Sequence, residues 1–78
     1  MTRSPQTVAV QAEMVANVLK VYVAPGDPVA TGDTVVLLES MKMEIPVLSE
    51  HAGTVSAVNV ATGDVVQEGD ALITLDRA

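Results

Sequence analysis

Met41-Lys42-Met43 is the stretch of this sequence best suited to covalent chemistry, with Glu39 and Ser40 before it and Glu44 after it. The amine of Lys42 can be acylated to a stable amide, though a plain reading makes it a solvating turn residue with the methionines beside it folded back on the core. An ordinary lysine amine has a pKa of about 10.4, so on the order of one in a few thousand is neutral and nucleophilic at pH 7. Lys42 is therefore not expected to modify itself. It needs an enzyme that activates a carboxyl group and positions the amine. No other residue set competes with it. His51 is the sole histidine and lies beside Ala52-Gly53, so it reads as a surface or turn residue without partners for a metal. The carboxylates of Asp27, Asp33, Asp64 and Asp70 could suggest calcium, but each follows a glycine and is explained by turn chemistry. There is no cysteine, no phosphate-cradling glycine loop and no HExxH motif, and no Ser-His-Asp set is evident.

The elements that would hold Lys42 are written twice. Val23-Ala24-Pro25-Gly26-Asp27-Pro28-Val29 lies over Val60-Ala61-Thr62-Gly63-Asp64-Val65-Val66 at an offset of 37, and eight of the 17 positions from Val23 to Glu39 are identical to their counterparts. Upstream, Val18, Val21 and Val23 fall on Val55, Val58 and Val60, and Val8 and Val10 on Ile45 and Val47. Each copy reads as strand, break, strand, two Gly-Asp turns and strand. Glycine supplies positive φ in such turns, and aspartate can bond the nearby backbone. The expected strands are 8–13, 17–23, 34–39, 43–48, 54–60 and 71–75. Apart from Gln11–Tyr22, which is valine-rich and uncapped, nothing suggests a helix. The expectation is an all-β sandwich or small barrel of two copies about a pseudo-twofold axis, neither stable alone. Residues 1–6 would be a short tail and 7–76 the domain. Within it, repeat 1 covers 7–39, a linking hairpin 40–43 and repeat 2 44–76.

That link breaks the local rules of the chain. Tight hairpins favour Asn-Gly, Asp-Gly or Gly-X because their turns need positive φ, and Ser40-Met41-Lys42-Met43 contains none of these. Departures of this kind are candidates for function. The two-copy layout puts the link at one pole and the chain ends at the other. Lys20, by contrast, lies inside an expected strand opposite the repeat position of Ala57, and no role is assigned to it.

Composition narrows the classes further. The net charge of −6 argues against a nucleic-acid surface, which needs clustered cations. Apolar runs are too short for a membrane helix, and the start of the chain does not read as a secretory signal. A single small domain in the cytoplasm is expected, non-catalytic and monomeric.

Glu39-Ser40-Met41-Lys42-Met43-Glu44 closely resembles the attachment motif of biotin carboxyl carrier domains, the biotinyl/lipoyl attachment family, and above all its small free-standing actinobacterial members. The resemblance covers nearly the whole chain, because the family has the same two-copy layout with the lysine on the connecting hairpin. It implies a flattened barrel-sandwich of the hammerhead type and biotin as a covalent cofactor, attached to Lys42 by a biotin protein ligase. Met41 and Met43 would then serve recognition, with Glu39, Ser40 and Glu44 as weaker motif flanks. It also implies partners: a biotin carboxylase that loads CO2 onto the ring and a carboxyltransferase that receives it, so that the domain carries carboxybiotin between them. Where many relatives have Ala-Pro-Met-Pro-Gly, this chain has Ala12-Glu13-Met14-Val15-Ala16, with Ala16 aligned to Gly53 of the second copy. That departure puts in doubt which carboxylase is served. The extra protruding segment of some fatty-acid-synthesis carriers and the Pro/Ala-rich tether of many carriers are not in the sequence. Two alternatives stay open: a biotinylated protein without a carboxylase, acting as a biotin store or assembly module, and a lipoyl carrier. Lipoyl domains usually place aspartate before the lysine and alanine after it.

Overall fold

The computed structural model describes residues 7–77, so the tail expected at 1–6 lies outside the described residues. Eight strands follow in order: β1 (Thr7–Gln11), β2 (Ala16–Val21), β3 (Pro28–Val29), β4 (Thr34–Ser40), β5 (Met43–Leu48), β6 (Gly53–Val58), β7 (Val65–Val66) and β8 (Ala71–Arg77). The described residues contain no helix. Valine and isoleucine favour the extended backbone, and their alternation with polar residues turns one face of each long strand inward.

The strands form two four-stranded sheets, ordered β1-β8-β6-β3 and β5-β4-β2-β7. Adding 37 to the residue numbers carries β1 to β4 onto β5 to β8, and so exchanges one sheet for the other. Each sheet takes two strands from each copy. This is the flattened, pseudo-twofold sandwich expected from the sequence. Even the irregularities are duplicated. Leu19 is an extra residue between the pairs Val18↔Leu38 and Lys20↔Leu37, and Ser56 is the same bulge between Val55↔Leu75 and Ala57↔Thr74. Val35 and Leu72 are likewise matched extras in β4 and β8. A bulge shifts the alternation by one, which allows Val35 beside Val36, and Leu72 beside Ile73, to be buried together.

The core joins Val18, Val29, Val36 and Leu38 to their counterparts Val55, Val66, Ile73 and Leu75. Ala12 is matched by Ser49, the buried polar side chain of the interior at 1% exposure. Its hydroxyl donates to the His51 carbonyl at 2.6 Å, so the burial leaves no bond unmade.

The four Gly-Asp turns are alike. Gly26, Gly32, Gly63 and Gly69 have φ between 90° and 96°, in the left-handed region that glycine enters freely. Each following aspartate accepts from a backbone N–H three residues earlier at 2.9 Å, donated by Ala24, Ala30, Ala61 and Gln67 in turn. These turns dock on the opposite copy: Gly63 N–H donates to the Val18 carbonyl and Gly26 N–H to that of Val55, both at 2.8 Å.

The expected strand 43–48 coincides with β5, the others differ from the observed ones at one or both ends, and β3 and β7 were not anticipated. β1 stops at Gln11 rather than 13 because Ala12 turns its N–H to the Asp70 carbonyl at 2.9 Å. β2 and β6 leave their sheets at Val21 and Val58, two residues earlier than expected, and each begins one residue earlier.

Candidate attachment site

β4 and β5 form the hairpin that joins the two copies. Their ladder runs from Thr34↔Leu48 through Glu39↔Glu44 to Ser40↔Met43. The closing pair narrows the link from the four residues expected to two, Met41 and Lys42. Both have positive φ, 53° and 67°, as a type I′ turn requires at its two central residues. The geometry is thus the ordinary hairpin geometry, but without the residues that adopt it easily. Left-handed backbone costs an L-residue with a Cβ roughly 1–2 kcal/mol, and such strain clusters at functional positions.

The turn turns its side chains outward. Met41 is 91% exposed and Met43 63% exposed, and Lys42 is exposed between them. The methionines therefore do not fold back on the core. Glu39 and Glu44 face each other across the ladder beneath the tip. Like charges in that register do not stabilise a sheet, so the pair acidifies the base of the hairpin and adds no support to it. Ser40 is half-buried at the closing pair.

The other pole holds Thr7 beside Asp76, whose carboxylate accepts from the Thr7 hydroxyl at 3.3 Å. The loop between β1 and β2 shares the hairpin's pole, because β2 starts where β4 ends: Asn17 pairs with Glu39. Sequence reasoning gave this loop no part in the site, yet Met14 and Val15 are exposed there. The signal was their position just before the strand that pairs with β4. Val65 on β7, opposite Asn17, is a further exposed apolar residue at this end.

Remaining candidates fall elsewhere. Lys20 is exposed, with its amine 5.2 Å from the centre of the Tyr22 ring, a cation–π contact that sequence reading missed. His51 is half-buried, and its N–H donates to the Ser49 hydroxyl at 3.3 Å. The turn aspartates are occupied by backbone N–H groups, and no group of three metal-ligating side chains occurs among the described residues. No helix of the described residues is long and apolar enough to cross a membrane.

The architecture is two interlocked half-domains joined by a hairpin with Lys42 at its tip. The family model described as "Biotin-requiring enzyme", the biotin/lipoyl family, matches residues 3–75, and the chain belongs to that family. Among curated proteins it is similar to the biotinylated protein TB7.3 homolog of Mycobacterium leprae, 64% identical over 44 residues, which are 56% of this chain and 62% of that protein. The match therefore spans less than two thirds of the relative's length. Among solved structures, a single-chain, multi-domain long-chain acyl-CoA carboxylase superposes with a TM-score of 0.88 at 29% identity, over 100% of this chain and 8% of that one. The lipoyl domain of the 2-oxoglutarate dehydrogenase complex from Azotobacter vinelandii superposes with a TM-score of 0.68 at 24% identity, over 86% of this chain and 95% of that one, a likeness of fold alone.

Proposed function

We propose that this domain is a biotin carrier, acylated at the Lys42 amine by a biotin protein ligase, and that it serves a biotin-dependent carboxylase. The observation that carries the reading is the exposed, left-handed Met41-Lys42 turn at the end of the β4–β5 ladder. A two-residue turn presents the lysine beyond the rest of the domain, so that an enzyme's cleft can close around it. In the acylation, the neutral Nζ attacks an activated biotin carboxyl carbon. The N–C bond forms as the bond to the activating group breaks, and the amine's proton passes to solvent. Acylation also removes the lysine's charge above the acidic pair Glu39 and Glu44.

Bound biotin supplies a ring that can accept and release a carboxyl group. The chain's own part is to hold the arm at one pole and to offer a surface to partners. Met14, Val15, Met41, Met43 and Val65 supply exposed apolar contacts at that pole, with Glu13, Glu39 and Glu44 as an acidic surround. Apolar and cationic partner surfaces fit it best. The relatives named for biotin and the acyl-CoA carboxylase support this reading, and the methionines on both sides of Lys42 favour biotin over lipoate.

Intact mass spectrometry of the protein produced with biotin and a ligase tests attachment. A single biotin adduct that disappears in Lys42→Ala is expected. An unmodified mass, a lipoyl adduct, or an adduct that persists in Lys42→Ala overturns the reading. A relative named simply as a biotinylated protein favours a second reading, a biotinylated domain that works without a carboxylase. Recovery of carboxylase subunits with the native protein separates the two.

A further inference from the structure

The internal repeat offers a control for the attachment hairpin, because two nearly identical ladders can be compared rung by rung. β6 and β8 pair at Gly53↔Arg77, Thr54↔Asp76 and Val55↔Leu75, then past the bulge at Ala57↔Thr74 and Val58↔Ile73. Subtracting 37 from each number predicts the β2–β4 ladder, and four of its five rungs are present: Asn17↔Glu39, Val18↔Leu38, Lys20↔Leu37 and Val21↔Val36. The fifth, between Ala16 and Ser40, is missing. It is the rung nearest the hairpin, and Ser40 is the residue just before Met41.

The residue type explains the gap. Gly53 lies against β8 so closely that a Cβ there would collide with the Asp76 carbonyl oxygen. Ala16 carries that Cβ, and the counterpart of Asp76 is Glu39. The Glu39 carbonyl still pairs with β2 at Asn17, but the Ala16 methyl group keeps it from lying over residue 16 as the Asp76 carbonyl lies over Gly53. Ala16 is 5% exposed, so its methyl group stays in the interior and holds the strands apart there. Its outer pairing is unaffected: Ala16 meets Val66 of β7 as Gly53 meets Val29 of β3.

We infer that Ala16 is a positioning residue that uncouples the attachment hairpin from β2, leaving the Met41-Lys42 turn anchored through Ser40 to β5 alone. The hairpin then samples conformations that a fully paired one does not, and only a fraction present Lys42 in the strained turn. A ligase that binds that turn must select this fraction, which raises its apparent dissociation constant in proportion. The inference rests on acylation at Lys42 as proposed above, but its structural half can be read without any ligase.

Ala16→Gly restores the residue type of the second copy and tests it. The rung between Ala16 and Ser40 is of the wide kind, closed by a flanking bond from the Met41 N–H to the Val15 carbonyl. Amide exchange of Met41 should therefore slow roughly tenfold in the variant, the factor for about one backbone hydrogen bond. In steady-state biotinylation by a biotin protein ligase, KM for the domain should fall severalfold while kcat stays the same. Ala16→Ser keeps a Cβ and should match the natural protein in both measurements. A change in thermal stability alone would leave KM and Met41 exchange untouched and would overturn the positioning role. Unchanged Met41 exchange in Ala16→Gly overturns the missing rung itself. Slowed exchange with an unchanged KM overturns the link to acylation. If the natural protein is never biotinylated, the proposed function fails instead, and Met41 exchange still decides the rung.

Discussion

At the scale of single residues, Met41 concentrates the conflict between stability and function. It adopts φ 53° with a side chain that is 91% exposed, so it bears backbone strain and gains almost no burial in return. Met41→Gly removes the strain but adds unfolded-chain entropy, leaving a net stabilisation of about 0.5–1 kcal/mol. For a domain of this size that raises Tm by roughly 2–8 °C in a thermal melt. On the proposed function, the same variant should be biotinylated more slowly, because the surface proposed for recognition has lost a methionine. A lower Tm would mean that Met41 packs on the domain, and unchanged labelling would mean that the ligase does not read it. The candidate lysine stood out in the sequence because a glycine-using chain turned there without glycine, and the resemblance of its flanks to the attachment motif singled it out. The positive φ of Lys42 was not, since nothing in Met-Lys announces a left-handed turn.

At the scale of elements, the six long strands were legible because apolar residues recur through runs of five or more residues in each. The two-residue strands β3 and β7 were not, because Pro28-Val29 and Val65-Val66 are too short to show any period and sit between turns. Their pairing with β6 and β2 is set by the docked Gly-Asp turns around them. Those turns can be tested individually. In Asp64→Ala the Ala61 N–H loses its acceptor at 2.9 Å, in an exposed loop where water replaces it. The expected cost is about 0.5–1.5 kcal/mol in urea denaturation. Asp64→Asn keeps a side-chain oxygen in place and should lose less. Because the carboxylates serve the backbone, added calcium should leave the natural protein's Tm unchanged. A clear rise with calcium would return these aspartates to metal binding.

For the whole molecule, the interlock of the two copies decides how the attachment hairpin is supported. The hairpin is the covalent link between half-domains that share both sheets, with β1 and β3 lying beside β8 and β6, and β5 and β7 beside β4 and β2. Cutting the chain between Met41 and Lys42 breaks no pair of the ladder, because the last rung is Ser40↔Met43. Each fragment alone lacks the partner strands of both its sheets. Fragment 1–41 has β1 without β8 and β3 without β6, and fragment 42–78 has β5 without β4 and β7 without β2. It also loses docking sites for its turns: Gly26 N–H loses the Val55 carbonyl, and Gly63 N–H that of Val18. Each fragment should therefore be unfolded in isolation by circular dichroism, since paired strands with one exposed apolar face are marginal in water. Mixed at equal concentration, they should regain the β-sheet spectrum and show a Tm that rises with concentration, as bimolecular assembly requires. A folded fragment would show that one copy closes its own core. Failure to reassemble would show that the two-residue link, and not the shared sheets, holds the halves together.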